Sequence, residues 1–385
     1  MNDLQSTEKP LLSLCMIVKN ESQNLPRCLA SAQPYVDEII VVDTGSEDNT
    51  LEIAARYGAK IGYFNWCDDF SAARNYSLSL VSGDWILVVD ADEELVINSE
   101  SFWVQLSSHP EIFAYSIIRT EANDESMAPL YHVRLFRNLP ELSYSGVLHE
   151  QLRYNDQPLS AERVSYLENF RMLHYGNTQE LTDLKTLNRN LPILERARQE
   201  KGLSLMLLYC LAGMYDRTGQ REKAHECYAQ AFDNLLPHLL NSNPPDDFGF
   251  VPSLVFTLAA QCLLQQDYET ARLLCQRGLE WCPNYPPINY IAGITLIALG
   301  FPLGAVTYFD NCLQMGKEDS YYKGEPFERS FITTDPAFEM GRAYLELGHF
   351  QQAIAAFELA LSFDASFTDA QQQIENIRQL LSIQA

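Results

Sequence analysis

Four short apolar runs in the first hundred residues constrain the fold of this chain more than any other feature. They are residues 11–18 (LLSLCMIV), 38–42 (EIIVV), 59–64 (AKIGYF) and 84–89 (DWILVV). The intervals 20–32, 48–57 and 70–81 carry helical patterns. Ser22 is a candidate cap for the first helix, with Pro26 in its first turn, while Gly58 and Ser82-Gly83 close the second and third. Strands that are apolar on both faces, alternating with helices of about ten residues, imply a parallel sheet covered on both sides. In such sheets a ligand sits beyond the carboxyl ends of the strands. Here those ends lead into Lys19-Asn20-Glu21, Asp43-Thr44-Gly45-Ser46, Asp68-Asp69 and Asp90-Ala91-Asp92.

From about residue 111 to 175 the pattern becomes strand-rich and less regular, with candidate strands at 112–119, 131–136, 147–154 and 164–173. These read as the closing, partly antiparallel side of the same domain. Beyond them the chain is helical and repetitive. Ala224, Ala271, Ala305 and Ala353 lie in the similar phrases REKAHECYAQAF, YETARLLCQRGL, PLGAVTYFDNCL and FQQAIAAFELAL, at intervals of 47, 34 and 48 residues. A 34-residue period is that of tetratricopeptide repeats, and the longer intervals equal that period plus about 14 inserted residues. The inserts are visible at 241–249 and 317–335. Tyr209, Ala212 and Tyr215 before Gly219, and Ala343-Tyr344 before Gly348, fit the preceding helices. This half resembles a tetratricopeptide array of about four repeats. A chain of 385 residues is long for one core, so two domains are expected, 1–177 and 178–385.

The formal charge of −24 is shared, with 12 basic against 26 acidic residues in 1–177 and 15 against 25 in 178–385. Such a surface repels phosphate backbones and anionic lipid, which argues against nucleic-acid or membrane partners. An anionic substrate would then need a metal or a local basic cluster. No apolar run reaches the 18 or so residues that span a bilayer. The polar stretch 1–10 lacks the basic start and apolar core of a secretory signal, so a cytoplasmic location is expected. Nine cysteines, scattered and never spaced C-x-x-C, read as reduced thiols, several of them in apolar helical patterns.

Asp90-Ala91-Asp92 places two carboxylates where the fourth strand meets a loop. Alternation puts both on one side of an extended backbone, able to share a divalent cation. Carboxylate oxygens suit Mg²⁺ or Mn²⁺, which also hold substrate phosphates and water. The triplet alone is common; its position after DWILVV, before Glu93-Glu94, gives it weight.

Residues 12–95 resemble a family 2 glycosyltransferase of the GT-A fold, a Rossmann-like α/β nucleotide-diphospho-sugar transferase domain. The matching pieces are 13–21 (SLCMIVKNE), 38–46 (EIIVVDTGS), 69–75 (DFSAARN) and 83–94 (GDWILVVDADEE). The nearest subgroup is the one fused to tetratricopeptide repeats, which includes enzymes that glycosylate peptide Cys, Ser or Thr and flagellin-type proteins. The resemblance implies that Asp43 binds uracil or ribose and that Glu21 lines the same pocket. Lys19 stands where the family has an aromatic or small residue. Arg74 and Asn75 would contact base or phosphate, with Asp69 orienting Arg74 through a charge-assisted hydrogen bond. Asp90, beside Ala91, would face ribose or metal, and Asp92 would be the principal metal ligand. Against these stand plainer roles: Asp43 as a helix cap, and Asp69 with Arg74 as a surface pair of little energetic weight.

An inverting transfer needs a general base for the acceptor's proton, while a metal offsets charge on the leaving diphosphate. The subgroup's glycine-x-x-His-Glu stretch, here Gly146 to Glu150, implies Glu150 as that base; a plain strand-edge carboxylate is the alternative. A late histidine often serves such enzymes as a further metal or diphosphate ligand, which points to His174 and then His149, although a lone histidine is more often structural. Arg134 or Arg137 would neutralise diphosphate, or else lie solvated on a strand. The repeats would hold an extended peptide, or serve dimerisation or support. The aromatic insert 321–331 either covers the active site or joins two repeats.

The expectation is thus an α/β GT-A domain followed by an all-α tetratricopeptide array. With Mn²⁺ or Mg²⁺, it would move a hexose or N-acetylhexosamine from a UDP-sugar donor to a peptide or protein side chain. Homo-oligomerisation is open. Sugar-on-sugar transfer in glycan assembly, or a non-catalytic interaction protein, are the alternatives.

Overall fold

The computed structural model describes residues 11–97, 102–176 and 183–384. The N-terminal stretch 1–10 lies outside these, as does 177–182, where the expected domain boundary falls. Two compact units form: residues up to Asp124 with Pro129–Cys227, and Glu125–Ala128 with Tyr228 onward.

The first unit is built on eleven strands among the described residues: β1 Leu12–Val18, β2 Glu38–Asp43, β3 Lys60–Tyr63, β4 Trp85–Val88, β5 Glu93–Ile97, β6 Ala114–Glu121, β7 Leu130–Arg137, β8 Leu142–Ser145, β9 Gln151–Tyr154, β10 Gln157–Pro158 and β11 Val164–His174. Eight of them form one sheet, ordered β3-β2-β1-β4-β7-β6-β11-β5; β8, β9 and β10 form a smaller one. The pairs β1–β2, β2–β3 and β1–β4 are parallel, as the apolar runs imply. The closing side is mixed: β7 runs antiparallel to β4 and β6, β11 parallel to β6, and β5 antiparallel to β11. The helices α1 Leu25–Ala32, α2 Thr50–Arg56, α3 Phe70–Leu78 and α4 Phe102–Ser108 lie between strands. Alternation along β1 explains the burial on both faces. Leu12, Leu14 and Met16 join one apolar cluster with Leu25 and Leu29 of α1, and Cys15 joins the other with Ile40, Ile86 and Phe136.

Three sequence expectations shift. The first helix begins at Leu25 rather than at residue 20, because Asn20 adopts φ 56° and the backbone N–H groups of Asn24 and Leu25 turn back onto the Glu21 carbonyl. Ser22 caps nothing; its N–H donates to Asp48. The run 147–154 is a strand only from Gln151, since Gly146 at φ 113° and His149 at φ 53° interrupt extension. Glu93-Glu94 opens β5, with Glu93 only 1% exposed.

After the sheet come a π-helical turn Thr186–Asn190, α5 Leu191–Lys201, α6 Leu205–Arg217 and α7 Arg221–Asn241, within which the division between units falls. The second unit continues with α8 Val251–Leu264, α9 Tyr268–Trp281, α10 Pro286–Ala298, α11 Pro302–Glu318, α12 Thr334–Glu346, α13 Phe350–Phe363 and α14 Thr368–Gln384. The four repeated phrases fall in α7, α9, α11 and α13. A Cβ on Gly293 of α10 would lie 2.6 Å from Phe309 of α11, and one on Gly341 of α12 the same distance from Phe357 of α13. Small residues on one helix thus admit a ring from the next. The insert before α12 packs within this unit, Tyr321 and Phe327 against each other and Phe327 against Tyr285. All nine cysteines are free thiols, and no helix among the described residues is long and apolar enough to cross a membrane.

Candidate active site

A cavity of about 740 Å³ opens in the first unit at the carboxyl ends of β1 and β4, where the parallel-sheet rule places a ligand. Ile17, Lys19, Glu21, Thr44, Asp90, Ala91 and Asp92 line it from the strand ends. Trp66, Asp68, Phe70 and Arg74 line it from the start of α3, Leu148, His149 and Glu150 from the loop before β9, and His174 from the end of β11. Three non-glycine residues on its loops, Asn20, Asp68 and His149, have φ near +60°. Such left-handed backbone is uncommon outside glycine and clusters at binding sites.

The charged side chains below the cavity form one alternating ladder. Glu150 pairs with Arg74, whose Nη2 is 2.9 Å from Asp90 Oδ1. Arg134 Nη2 is 2.9 Å from Asp90 Oδ2 and 3.0 Å from Glu93. Arg119 stands 3.6 Å from Glu93 and 2.9 Å from Glu121, and Glu121 is 2.8 Å from His174 Nδ1. His174 Nε2 is then 3.4 Å from Asp92 Oδ2, which Lys185 approaches to 3.8 Å. Register builds this ladder, because β4, β7, β6, β11 and β5 are hydrogen-bonded neighbours that bring distant charges side by side. Each buried charge has a partner of opposite sign, which desolvated charges require.

The ladder separates the two aspartates of the D-x-D triplet. Burial would raise the carboxyl pKa of Asp90, but Arg134 and Arg74 more than offset it and hold that carboxyl well below its usual range. Both its oxygens are taken by guanidinium groups, so Asp90 anchors the ladder rather than offering a free metal ligand. Asp92 is different: it faces His174 and Lys185 at the cavity wall. Burial raises its pKa and the His174 contact lowers it, with a net lowering. Burial opposes protonation of His174, yet its bonds to Asp92 and Glu121 push its pKa up to about 9.

These residues fit a divalent metal that is completed by its ligand. Asp92 offers a carboxylate and His174 an imidazole nitrogen, with Nδ1 of that ring bonded to Glu121, the outer contact that orients a ligating histidine. Gly176 makes room: a Cβ there would lie 2.0 Å from Asp92 Oδ2 and 2.9 Å from His174 Nε2. Among the described residues no group of three or more His, Cys, Asp or Glu side chains could hold a metal. A two-donor site suits Mg²⁺ or Mn²⁺, which take remaining oxygens from phosphates and water.

Several sequence candidates stand elsewhere. Asp69 caps α3, accepting from the Ala72 N–H at 3.0 Å and the Ser71 hydroxyl, and does not orient Arg74. Asn75 bridges the backbone of Tyr144 with both ends of its amide, at 2.8 and 2.7 Å, so it fastens β8 and does not line the cavity. Arg137 lies at the far end of β4, paired in register with Trp85 and donating to the carbonyls of Ile112 and His109. It cannot meet a diphosphate at the strand carboxyl ends. Asp43 is buried and accepts from the N–H groups of Gly45 and Ser46, shaping the loop that puts Thr44 on the cavity wall. Glu21 lines the cavity, its pKa raised by burial, with Asn24 donating to it. His149 is on the wall, but among the described residues no contact joins it to Asp92.

Sequence reasoning missed Trp66, Lys185, Asn188, Arg189 and Arg196 on the wall, and Glu93, Arg119 and Glu121 in the ladder. Their one signal is chemical: Arg119-x-Glu121 is a charge pair at the end of a largely apolar strand, and Lys185, Arg189 and Arg196 are clustered cations in an acidic chain.

Residues 13–169 match the family model for glycosyl transferase family 2, and residues 336–367 match a tetratricopeptide repeat model. The first unit therefore carries a family 2 glycosyltransferase domain and the second a tetratricopeptide repeat. A TPR repeat-containing protein of Synechococcus elongatus is 47% identical over 142 residues, covering 36% of this chain and 34% of that one. The SPbeta prophage-derived glycosyltransferase SunS of Bacillus subtilis is 26% identical over 190 residues, covering 48% of this chain and 44% of that one. The chain thus spans less than half the length of either relative. Among solved structures, glucosyl-3-phosphoglycerate synthase from Mycobacterium tuberculosis, in complex with Mn²⁺, UDP and glucosyl-3-phosphoglycerate, aligns at 24% identity and a TM-score of 0.24. That alignment covers 29% of this chain and 44% of the synthase, a likeness too slight to carry an argument.

Proposed function

We propose that this protein is a metal-dependent, inverting glycosyltransferase that takes a hexose or N-acetylhexosamine from a UDP-sugar and places it on a peptide or protein side chain. The observation that carries the reading is the Asp92–His174–Glu121 arrangement at the mouth of a cavity formed at the strand carboxyl ends. The cavity is large enough for a nucleotide sugar.

Asp92 and His174 would hold Mn²⁺ or Mg²⁺, which offsets negative charge on a diphosphate leaving group. Thr44 and Glu21, at the ends of the first two strands, line the cavity and would receive base and ribose. Glu150, only 12% exposed and paired with Arg74, would take the acceptor's proton. As the acceptor's oxygen or sulfur bonds to the sugar's anomeric carbon, the bond from that carbon to the diphosphate breaks. The proton passes to a Glu150 carboxylate oxygen, and free nucleoside diphosphate leaves. Trp66, which meets Phe70 edge-on at 4.8 Å and donates from its indole N–H to Asp68, gives the wall an apolar face against which a sugar ring can stack.

A protein acceptor is supported by the repeat, since helical arrays of this kind offer concave surfaces to extended peptides. Incubation of the full chain with radiolabelled UDP-sugars, Mn²⁺ and host lysate tests donor and acceptor together. Label in the protein fraction is expected; label confined to glycan would replace the protein acceptor with a sugar one.

A further inference from the structure

We infer that Arg189, on the helical segment after the sheet, is the cation that receives the donor's diphosphate, so that residues beyond the sheet complete the nucleotide-sugar site. This rests on the donor reading proposed above.

The cavity has five cationic wall residues: Lys19, Arg74, Lys185, Arg189 and Arg196. Their commitments differ. Arg74 is held by Asp90 and Glu150, and Arg196 by Asp68. Lys185 approaches Asp92. Lys19, exposed just after β1, makes no ion pair among the described residues either. Arg189 makes no ion pair among the described residues, although it lies on the wall of a cavity rich in carboxylates. Its Nε–H donates to Asn190 Oδ1 at 2.8 Å, and its guanidinium lies 5.0 Å over the Phe70 ring. Those two neighbours set the plane of the group. Its terminal amino groups have no hydrogen bond among the described residues, and a planar fork of that kind matches two oxygens of a phosphate.

The electrostatics agree. Arg189 is exposed on the cavity wall; partial desolvation lowers its pKa, while Glu150, Asp90, Glu21 and Asp92 act in the opposite sense. In a chain of net charge −24, an anion can settle only where positive charge is uncommitted. Asp90 and Glu150 are already offset by arginines, and Asp92 by His174 and Lys185. Arg189 and Lys19 remain, and of the two only Arg189 carries a planar fork, held beside Asn190 and over the Phe70 ring. It is displayed from the π-helical turn Thr186–Asn190, a rare winding that is frequent at functional sites.

The test is calorimetric titration of the full chain, with Mn²⁺ present, by UDP and by uridine at high concentration. Arg189→Ala should weaken UDP binding by roughly 10- to 100-fold, leave uridine binding unchanged and keep the wild-type melting temperature. Arg189→Lys should recover part of the loss, since it restores charge without the fork. Wild-type UDP affinity in Arg189→Ala, or an equal loss for uridine, overturns the assignment while the donor reading stands. Absence of binding of UDP, GDP, CDP and ADP by the unmodified protein overturns the donor reading, and this inference with it.

Discussion

The Nε2 of His174 stands 3.4 Å from the Oδ2 of Asp92, while the other nitrogen of the same ring is 2.8 Å from Glu121. One ring thus joins an outer carboxylate to the residue that faces the cavity. Its orientation is set from behind by β6, which supplies Glu121, and its reach is set by β11, which it ends.

Removing the outer carboxylate should weaken the metal site without touching the nucleotide. Glu121→Gln is expected to lower Mn²⁺ affinity by about 10-fold and His174→Ala by about 10- to 100-fold. Manganese titration followed by electron paramagnetic resonance reads this directly. Unchanged affinity in His174→Ala would remove it from the ligand set.

Asp90 and Asp92 should separate in their effects, despite lying two residues apart. Asp90→Asn leaves Arg74 and Arg134 facing each other over a neutral group, and should cost about 1–3 kcal/mol of stability. That is less than the loss of a fully buried pair, because a third of the Asp90 side chain stays exposed. Asp92→Asn should change the melting temperature little and abolish the metal dependence of UDP binding. Chemical denaturation of both variants, paired with UDP titration, decides it; equal destabilisation would contradict the division of roles.

Gly176→Ala places a methyl group 2.0 Å from Asp92 Oδ2 and 2.9 Å from His174 Nε2. Because β11 and the Tyr175 N–H bond to the Asp92 carbonyl hold this backbone, the side chains must give way. The expected outcome is loss of Mn²⁺ binding in a folded protein, checked by circular dichroism and metal titration. Retained binding would show that the cradle is not needed.

A pH effect should arise in the second unit. Burial pushes the carboxyl of Glu325 up to about 8, with a Ser253 hydrogen bond opposing. The folded chain therefore binds a proton that the unfolded chain releases near its ordinary pKa of about 4.5. Stability from this group is present below that lower value and is lost as pH rises through the window up to about 8. Glu325→Gln should flatten that decline, raising the melting temperature at pH 8.5 by about a few degrees with little change near pH 4.5. Parallel melting curves for variant and wild type across this range would refute the buried carboxyl.

Much of this was legible in the sequence, for identifiable reasons. The parallel strands β1, β2 and β4 were readable because burial on both faces leaves continuous apolar runs. The place of Asp92 on the cavity wall was readable because cavities of such sheets open at the carboxyl ends of the strands. The repeated helices were readable from the spacing of Ala224, Ala271, Ala305 and Ala353. The ladder was not, because Arg119, Glu121 and Arg134 become neighbours of Asp90 and His174 only through strand register. Arg137 shows the same limit: three residues beyond Arg134 on one strand, it lies at the end of the sheet opposite the cavity. Asn75 and Asp69 were misassigned because an amide that clamps a strand and a carboxylate that caps a helix have the same sequence appearance as ligands. Arg189 lay hidden in a polar segment with no apolar period to announce it.

The most direct test of the account is calorimetric titration of UDP into the full chain, in Mn²⁺ and again in EDTA. The arrangement at Asp92 and His174 predicts binding in Mn²⁺ that falls at least about tenfold when the metal is removed. Equal affinity in both buffers, or none in either, would contradict it.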